Sequence, residues 1–82
     1  MTTAIDEFLP ALLRMWRELL DQPEAGQDTD FFYAGGSSIL AVQLLQRARD
    51  TFGLRIPLDA LITASTPQLF AERLAALRDT HS

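Results

Sequence analysis

Leu9, Leu12, Leu13, Trp16, Leu19 and Leu20 recur at helical spacing, while Arg14, Arg17, Glu18 and Asp21 fall largely on the other side. This pattern predicts an amphipathic helix. Pro10 disfavours helix at Leu9 but suits a first helical position, so the start is expected near Pro10, after a turn around residues 5–8. Trp16 is read as a core anchor. Residues 22–29 carry Pro23 and Gly26 without periodicity and read as a loop. A second helix is expected from Ser38 to Phe52, with Ala41, Leu44, Leu45, Ala48 and Phe52 facing the core and Gln43, Gln46 and Asp50 facing water. Ile39 falls on the polar side, flanked by Val42 and Arg49. Gly53 supplies a helix stop. Residues 54–58 alternate, but no partner strand exists elsewhere, so they read as an extended connector with Leu54 and Ile56 inward. Pro57 opens a short third helix over residues 58–63, whose apolar side is Leu58, Leu61 and Ile62. Thr66 and Pro67 cap and open a last helix carrying Leu69, Phe70, Leu74 and Leu77; Ser65 with Gln68 offers an alternative capping box. Residues 79–82 are expected to fray. The fold class is therefore all-α: three longer helices, one short third helix, and a long loop between helices one and two.

The stretch 30–45 gives this scaffold its most specific chemistry. Phe31 and Phe32 call for burial. Gly35 and Gly36 permit a sharp turn with positive φ. Ser37 and Ser38 then stand where the second helix begins, Ser37 as cap and Ser38 opening the first turn. A helix N-terminus has unpaired N–H groups and a positive dipole end, which favours a phosphate.

Composition narrows the function. The chain has 82 residues, read as one domain over 1–82, with 48% hydrophobic residues and no cysteine. Its net charge of -4 argues against a nucleic-acid binder and fits either steering toward basic partner surfaces or simple solubility. No secretory leader and no bilayer-length apolar run are visible, so cytoplasmic residence is expected, with no membrane contact. The single histidine, His81, lies at the C-terminal end, which is expected to fray, and so offers no positioned general base for a serine nucleophile. A Gly-x-Ser-x-Gly elbow, a phosphate-loop lysine and metal-ligand spacing are all missing from the sequence. Autonomous catalysis is not expected.

Asp30, Phe31-Phe32, Gly35-Gly36 and Ser38-Ile39 together resemble the signature of carrier proteins, the acyl and peptidyl carrier (thiolation) domains of polyketide and nonribosomal peptide assembly. Phe52-Gly53, Pro57-Leu58, Leu61, Thr66, Leu69 and Ala71 echo the downstream pattern of that family. The resemblance implies a 4′-phosphopantetheine arm on Ser38, derived from coenzyme A, holding an acyl, aryl or aminoacyl group as a thioester. It also implies a phosphopantetheinyl transferase, an adenylation or acyltransferase loading enzyme, and condensing or tailoring enzymes as partners of a monomeric carrier. The docking face is expected at Ser37, Ile39, Val42, Leu61 and Ile62. The aromatic pair with Gly-Gly resembles peptidyl carriers more than fatty-acid carriers. Departures are Ser37, where His or Asp is commoner, Ala34 before the glycines, and Thr63-Ala64-Ser65 before the last helix. The alternative is an unmodified helical module that docks onto a larger synthase. Met1 and the polar ends favour a free-standing protein over a piece of a synthetase.

Overall fold

The computed structural model describes residues 4–80, with Thr80 described by its backbone. Four helices follow in order: α1 Ala4–Leu20, α2 Ser38–Phe52, α3 Leu58–Thr63 and α4 Pro67–Thr80. No strand occurs among the described residues. α1 and α4 form the most extensive helix pair, α2 packs on α1, and short α3 bridges α2 and α4. Met1, Thr2, Thr3, His81 and Ser82 lie outside the described residues, whereas Asp79, expected to fray, is the penultimate residue of α4.

α1 begins six residues before the expected start and carries Pro10 inside it. An interior proline removes one backbone hydrogen bond and costs about 3 kcal/mol. Contacts made by the first turn offset this. Phe8 is buried and meets Phe52 edge-on at 4.9 Å. The Arg78 guanidinium sits 5.0 Å from the centre of the Phe8 ring and pairs with Glu7 at 2.6 Å, tying α1 to α4. The buried stripe is consequently Phe8, Leu12, Met15 and Trp16, while Leu9, Leu13, Leu19 and Leu20 are only half-buried. The helix stops at Asp21, whose φ of 54° is left-handed and lets the Gln22 N–H donate to the Arg17 carbonyl at 3.0 Å.

The core centres on Trp16, Phe31 and Phe70, all fully buried. Trp16 meets Phe31 at 5.5 Å and Phe70 at 5.8 Å between ring centres. Its indole Nε1–H donates to the Thr29 carbonyl at 3.0 Å. The long loop is therefore an ordered strap. Arg17 Nε donates to the Ala25 carbonyl at 2.7 Å and Gln22 Nε2 to the Ala34 carbonyl at 2.6 Å. From the other side, the Gln68 N–H donates to the Gln27 carbonyl and the Phe31 N–H to the Ser65 carbonyl.

Several expectations are corrected here. Phe31 is buried, but Phe32 stays 38% exposed, its ring edge-on to that of Phe31 at 5.6 Å. Gly35 has positive φ (109°), but Gly36 does not. Gly36 is required instead for close approach: its N–H donates to the Phe31 carbonyl at 2.8 Å, and a Cβ there would overlap the Phe31 ring. On α3, Ala60 and Leu61 point inward while Leu58 and Ile62 face out. Leu69 is likewise exposed. Thr66 Oγ1 accepts from the Leu69 N–H at 3.1 Å, so Thr66 is the cap and Ser65 is not part of a capping box. As expected, Ile56 is buried and Leu54 half-buried in the connector.

Gly36→Ala should lower stability by about 1–3 kcal/mol, since an added methyl must displace the Phe31 ring or carbonyl. Gly26→Ala, with open space around its Cβ, is the control, and its unfolding free energy from urea titration should stay within about 0.5 kcal/mol of wild type. Equal midpoints for the two variants would contradict the close-approach role.

Candidate modification site

The two serines at the start of α2 have different surroundings. Ser37 is the cap, with extended backbone (φ -101°, ψ 173°) and an Oγ that accepts from the Leu40 N–H at 3.2 Å. Its carbonyl accepts from the Ala41 N–H at 2.8 Å. Ser38 is the first helical residue and is exposed, and no hydrogen bond among the described residues engages its hydroxyl. The local sequence explains this: Gly35 turns the chain, Gly36 presses it against Phe31, and the cap then fixes the direction of α2. Ser38 is thus an uncommitted hydroxyl on a stiff mount.

Asp30 stiffens the mount from the loop side. Its Oδ1 accepts from the Phe32 and Tyr33 N–H groups at 3.0 and 2.9 Å. Its Oδ2 accepts from the Ser65 hydroxyl at 2.5 Å. The Ser65 hydrogen bond, aided by these backbone donors and opposed by partial desolvation, holds the Asp30 carboxyl below its usual range. A carboxylate so engaged is a structural tie, not a raised-pKa base. Among the described residues, no group of three or more His, Cys, Asp or Glu is placed to hold a metal ion.

Beside Ser38 lies a small cavity of about 140 Å³ lined by Phe32, Ser38, Ala41, Val42, Leu58 and Ile62. Ile39, 72% exposed, stands next to it along the chain. The structure therefore brings together Ser38, Val42 and Ile62 of the expected residues, with Ile39 and Ser37 adjacent in sequence. Leu61 does not belong. It is fully buried in the core, because the six-residue α3 turns Ala60 and Leu61 inward. Phe32 and Leu58 join the surface without having been picked out from the sequence, and exposed Tyr33 follows Phe32 in the chain. Leu58 was legible in principle, since it stands one helical turn before Ile62. Tyr33, 95% exposed, gave no such signal. The cavity lining contains no charged side chain, despite the chain's net charge of -4.

The family model described as "Phosphopantetheine attachment site" matches residues 10–74. The chain belongs to that family. It is a carrier domain, and the family's cofactor is 4′-phosphopantetheine, held covalently. An exposed, unengaged hydroxyl at a helix N-terminus fits a phosphate-linked group. This carrier domain is similar to part of pyochelin synthetase PchF from Pseudomonas aeruginosa, 45% identical over 75 residues, covering 84% of this chain and 4% of that protein. It is also similar to part of phosphinothricin tripeptide synthetase PhsB from Streptomyces viridochromogenes, at 36% over 66 residues, covering 80% of this chain and 6% of that one. The carrier domain thus corresponds to a few per cent of the length of these relatives. Among solved structures, a nonribosomal PCP domain aligns with a TM-score of 0.71 and 29% identity over 88% of both chains. BlmI, a type-II acyl carrier protein of Streptomyces verticillus, shares the fold with a TM-score of 0.82 at 21% identity, covering 88% of this chain and 87% of that one. The all-α four-helix expectation is borne out.

Because Asp30 is more acidic folded than its ordinary value of about 3.9, it favours the folded state above that value. This contribution fades as pH falls from about 3.9 through the lowered folded value. Asp30→Asn should therefore be less stable than wild type by about 1 kcal/mol at pH 7, and the gap should shrink as pH drops through that window. Urea midpoints at pH 7, 5, 4 and 3 measure it; a gap constant to pH 3 would contradict the assignment.

Proposed function

We propose that Ser38 is the attachment residue of the arm, within a single carrier domain spanning the chain. The observation that carries this reading is the contrast between the serines: the Ser37 hydroxyl is committed to the Leu40 N–H, and that of Ser38 is exposed and uncommitted. The Ser38 oxygen attacks the β-phosphorus of coenzyme A. A phosphodiester forms, the bond to 3′,5′-adenosine bisphosphate breaks, and the serine proton passes to a base of the transferase. The chain itself supplies position and the positive end of α2, close to the transferred phosphate. Once attached, the arm supplies a thiol that holds an acyl, aryl or aminoacyl cargo as a thioester and concentrates it near each partner enzyme. Chemistry on the cargo belongs to those partners.

The family and the synthetase relatives support a cargo of the aminoacyl or aryl class in a peptide or peptide–polyketide pathway. The partners are a phosphopantetheinyl transferase, an adenylation or acyltransferase loading enzyme, and condensing or tailoring enzymes. They dock on the face around Ser38, at Ser37, Ile39, Val42 and Ile62, enlarged by Phe32, Tyr33 and Leu58. The carrier acts as a cytoplasmic monomer, without nucleic acid or membrane. No described helix is long and apolar enough to cross a membrane.

The deciding experiment is intact mass after incubation with coenzyme A and a broad-specificity transferase. Wild type and Ser37→Ala should each gain one phosphopantetheine and Ser38→Ala none. A gain by Ser38→Ala would move the site. No gain by folded wild type would favour an unmodified docking module. Docking gives a second prediction. Ile39→Asp should lower the kcat/KM of arm attachment roughly tenfold while the far-UV circular dichroism stays native. For wild type, kcat/KM should change by less than about twofold between 50 and 500 mM salt, because uncharged contacts are not screened.

A further inference from the structure

A second surface depression, larger than the cavity beside the serine, lies away from it. It is a groove of about 390 Å³ lined by Arg49, Leu54, Arg55, Ile56 and Pro57. Arg49 stands roughly 16 Å along α2 from Ser38, counting 1.5 Å per residue. Three observations give this groove a chemistry of its own.

Its two cations have no carboxylate partner among the described residues. Arg47 and Arg78, by contrast, are paired with Glu18 and Glu7. Arg49 instead donates from Nε and Nη2 to the Ile56 carbonyl, at 3.0 and 2.5 Å. That double contact fixes the orientation of the guanidinium and leaves Nη1 available. Arg55 is exposed and engaged by no other described residue. In a chain of net charge -4, two adjacent arginines without a counter-charge form a local cationic site.

The backbone beside them is open as well. Residues 53–57 run without helix or strand between α2 and α3. The main-chain groups of Leu54 and Arg55 make no hydrogen bond among the described residues. An extended segment with unpaired N–H and C=O groups is a template for a second extended chain. Finally, Leu54, Ile56 and Pro57 give the groove an apolar floor.

We propose that this groove binds an extended acidic segment of a partner protein. The incoming backbone pairs with Leu54 and Arg55. Its carboxylates meet Arg49 and Arg55, guanidinium forks being suited to carboxylates. An apolar side chain between the acidic residues lies on Leu54 and Pro57. Charge complementarity selects this occupant, because an apolar or basic segment would leave the two cations of the groove unpaired. The site is separate from the Ser38 face, so a tethered partner leaves the serine accessible.

The test is a titration of the ¹⁵N-labelled full chain, followed by amide chemical shifts, with a synthetic peptide of alternating Glu and Val. The expected result is saturable shifts at Leu54, Arg55 and Ile56, with the amides of residues 38–42 unmoved. Arg55→Glu should weaken binding about tenfold, Arg55→Ala less, and both variants should still accept the arm at the wild-type rate. A Lys/Val peptide and a ten-residue oligothymidylate serve as comparisons. Equal affinity for either comparison ligand, unchanged affinity in Arg55→Glu, or shifts confined to the Ser38 face would each overturn the proposal. Failure of wild type to accept the arm would count against the carrier reading and leave this result intact.

Discussion

The serine end of this molecule depends on where Phe31 lies. Its ring is fully buried against Trp16, its N–H donates to the Ser65 carbonyl, and its own carbonyl accepts from the Gly36 N–H. One residue thereby joins α1, the junction before α4, and the turn that launches α2. Trp16 and Phe31 bury large apolar areas, each worth a few kcal/mol. A small domain has few such contributions, so the pair that fills the core also fixes the position of Ser38.

The long loop is held by several hydrogen bonds to its carbonyls. Trp16, Arg17 and Gln22 donate to the carbonyls of Thr29, Ala25 and Ala34, and the Gln68 amide donates to that of Gln27. Trp16 and Arg17 reach it from α1 and Gln68 from the start of α4, while Gln22 and the bonds between Gly26 and Thr29 lie within the loop. Part of the order in this segment is thus supplied by its neighbours. A polar loop sequence carries no trace of that, because side-chain donors reaching across the fold leave no periodic mark.

This division explains what the sequence disclosed. Local rules located Ser37 as a cap, Gly53 as a stop, Thr66-Pro67 as a start and the limits of α2 and α3, since each depends on neighbours within a turn. The start of α1 was hidden because Phe8 and Glu7 hold it through Phe52 and Arg78, far away in the chain. The same holds for Leu61 and Leu58. Both are leucines on a six-residue helix, and only the packing of α3 decided that the first is buried and the second exposed. Gly36 was marked as needing freedom, and its reason proved to be the proximity of Phe31.

Trp16 is the only tryptophan of the chain. Its indole is fully buried, in contact with the Phe31 ring and hydrogen-bonded to the loop at Thr29. The molecule therefore contains its own optical probe. Indole emission reports the polarity around the ring, so a shift toward longer wavelength registers water reaching the joint between α1, the loop and α4. The same signal reads the integrity of the serine's support without any label on the surface that partners would touch.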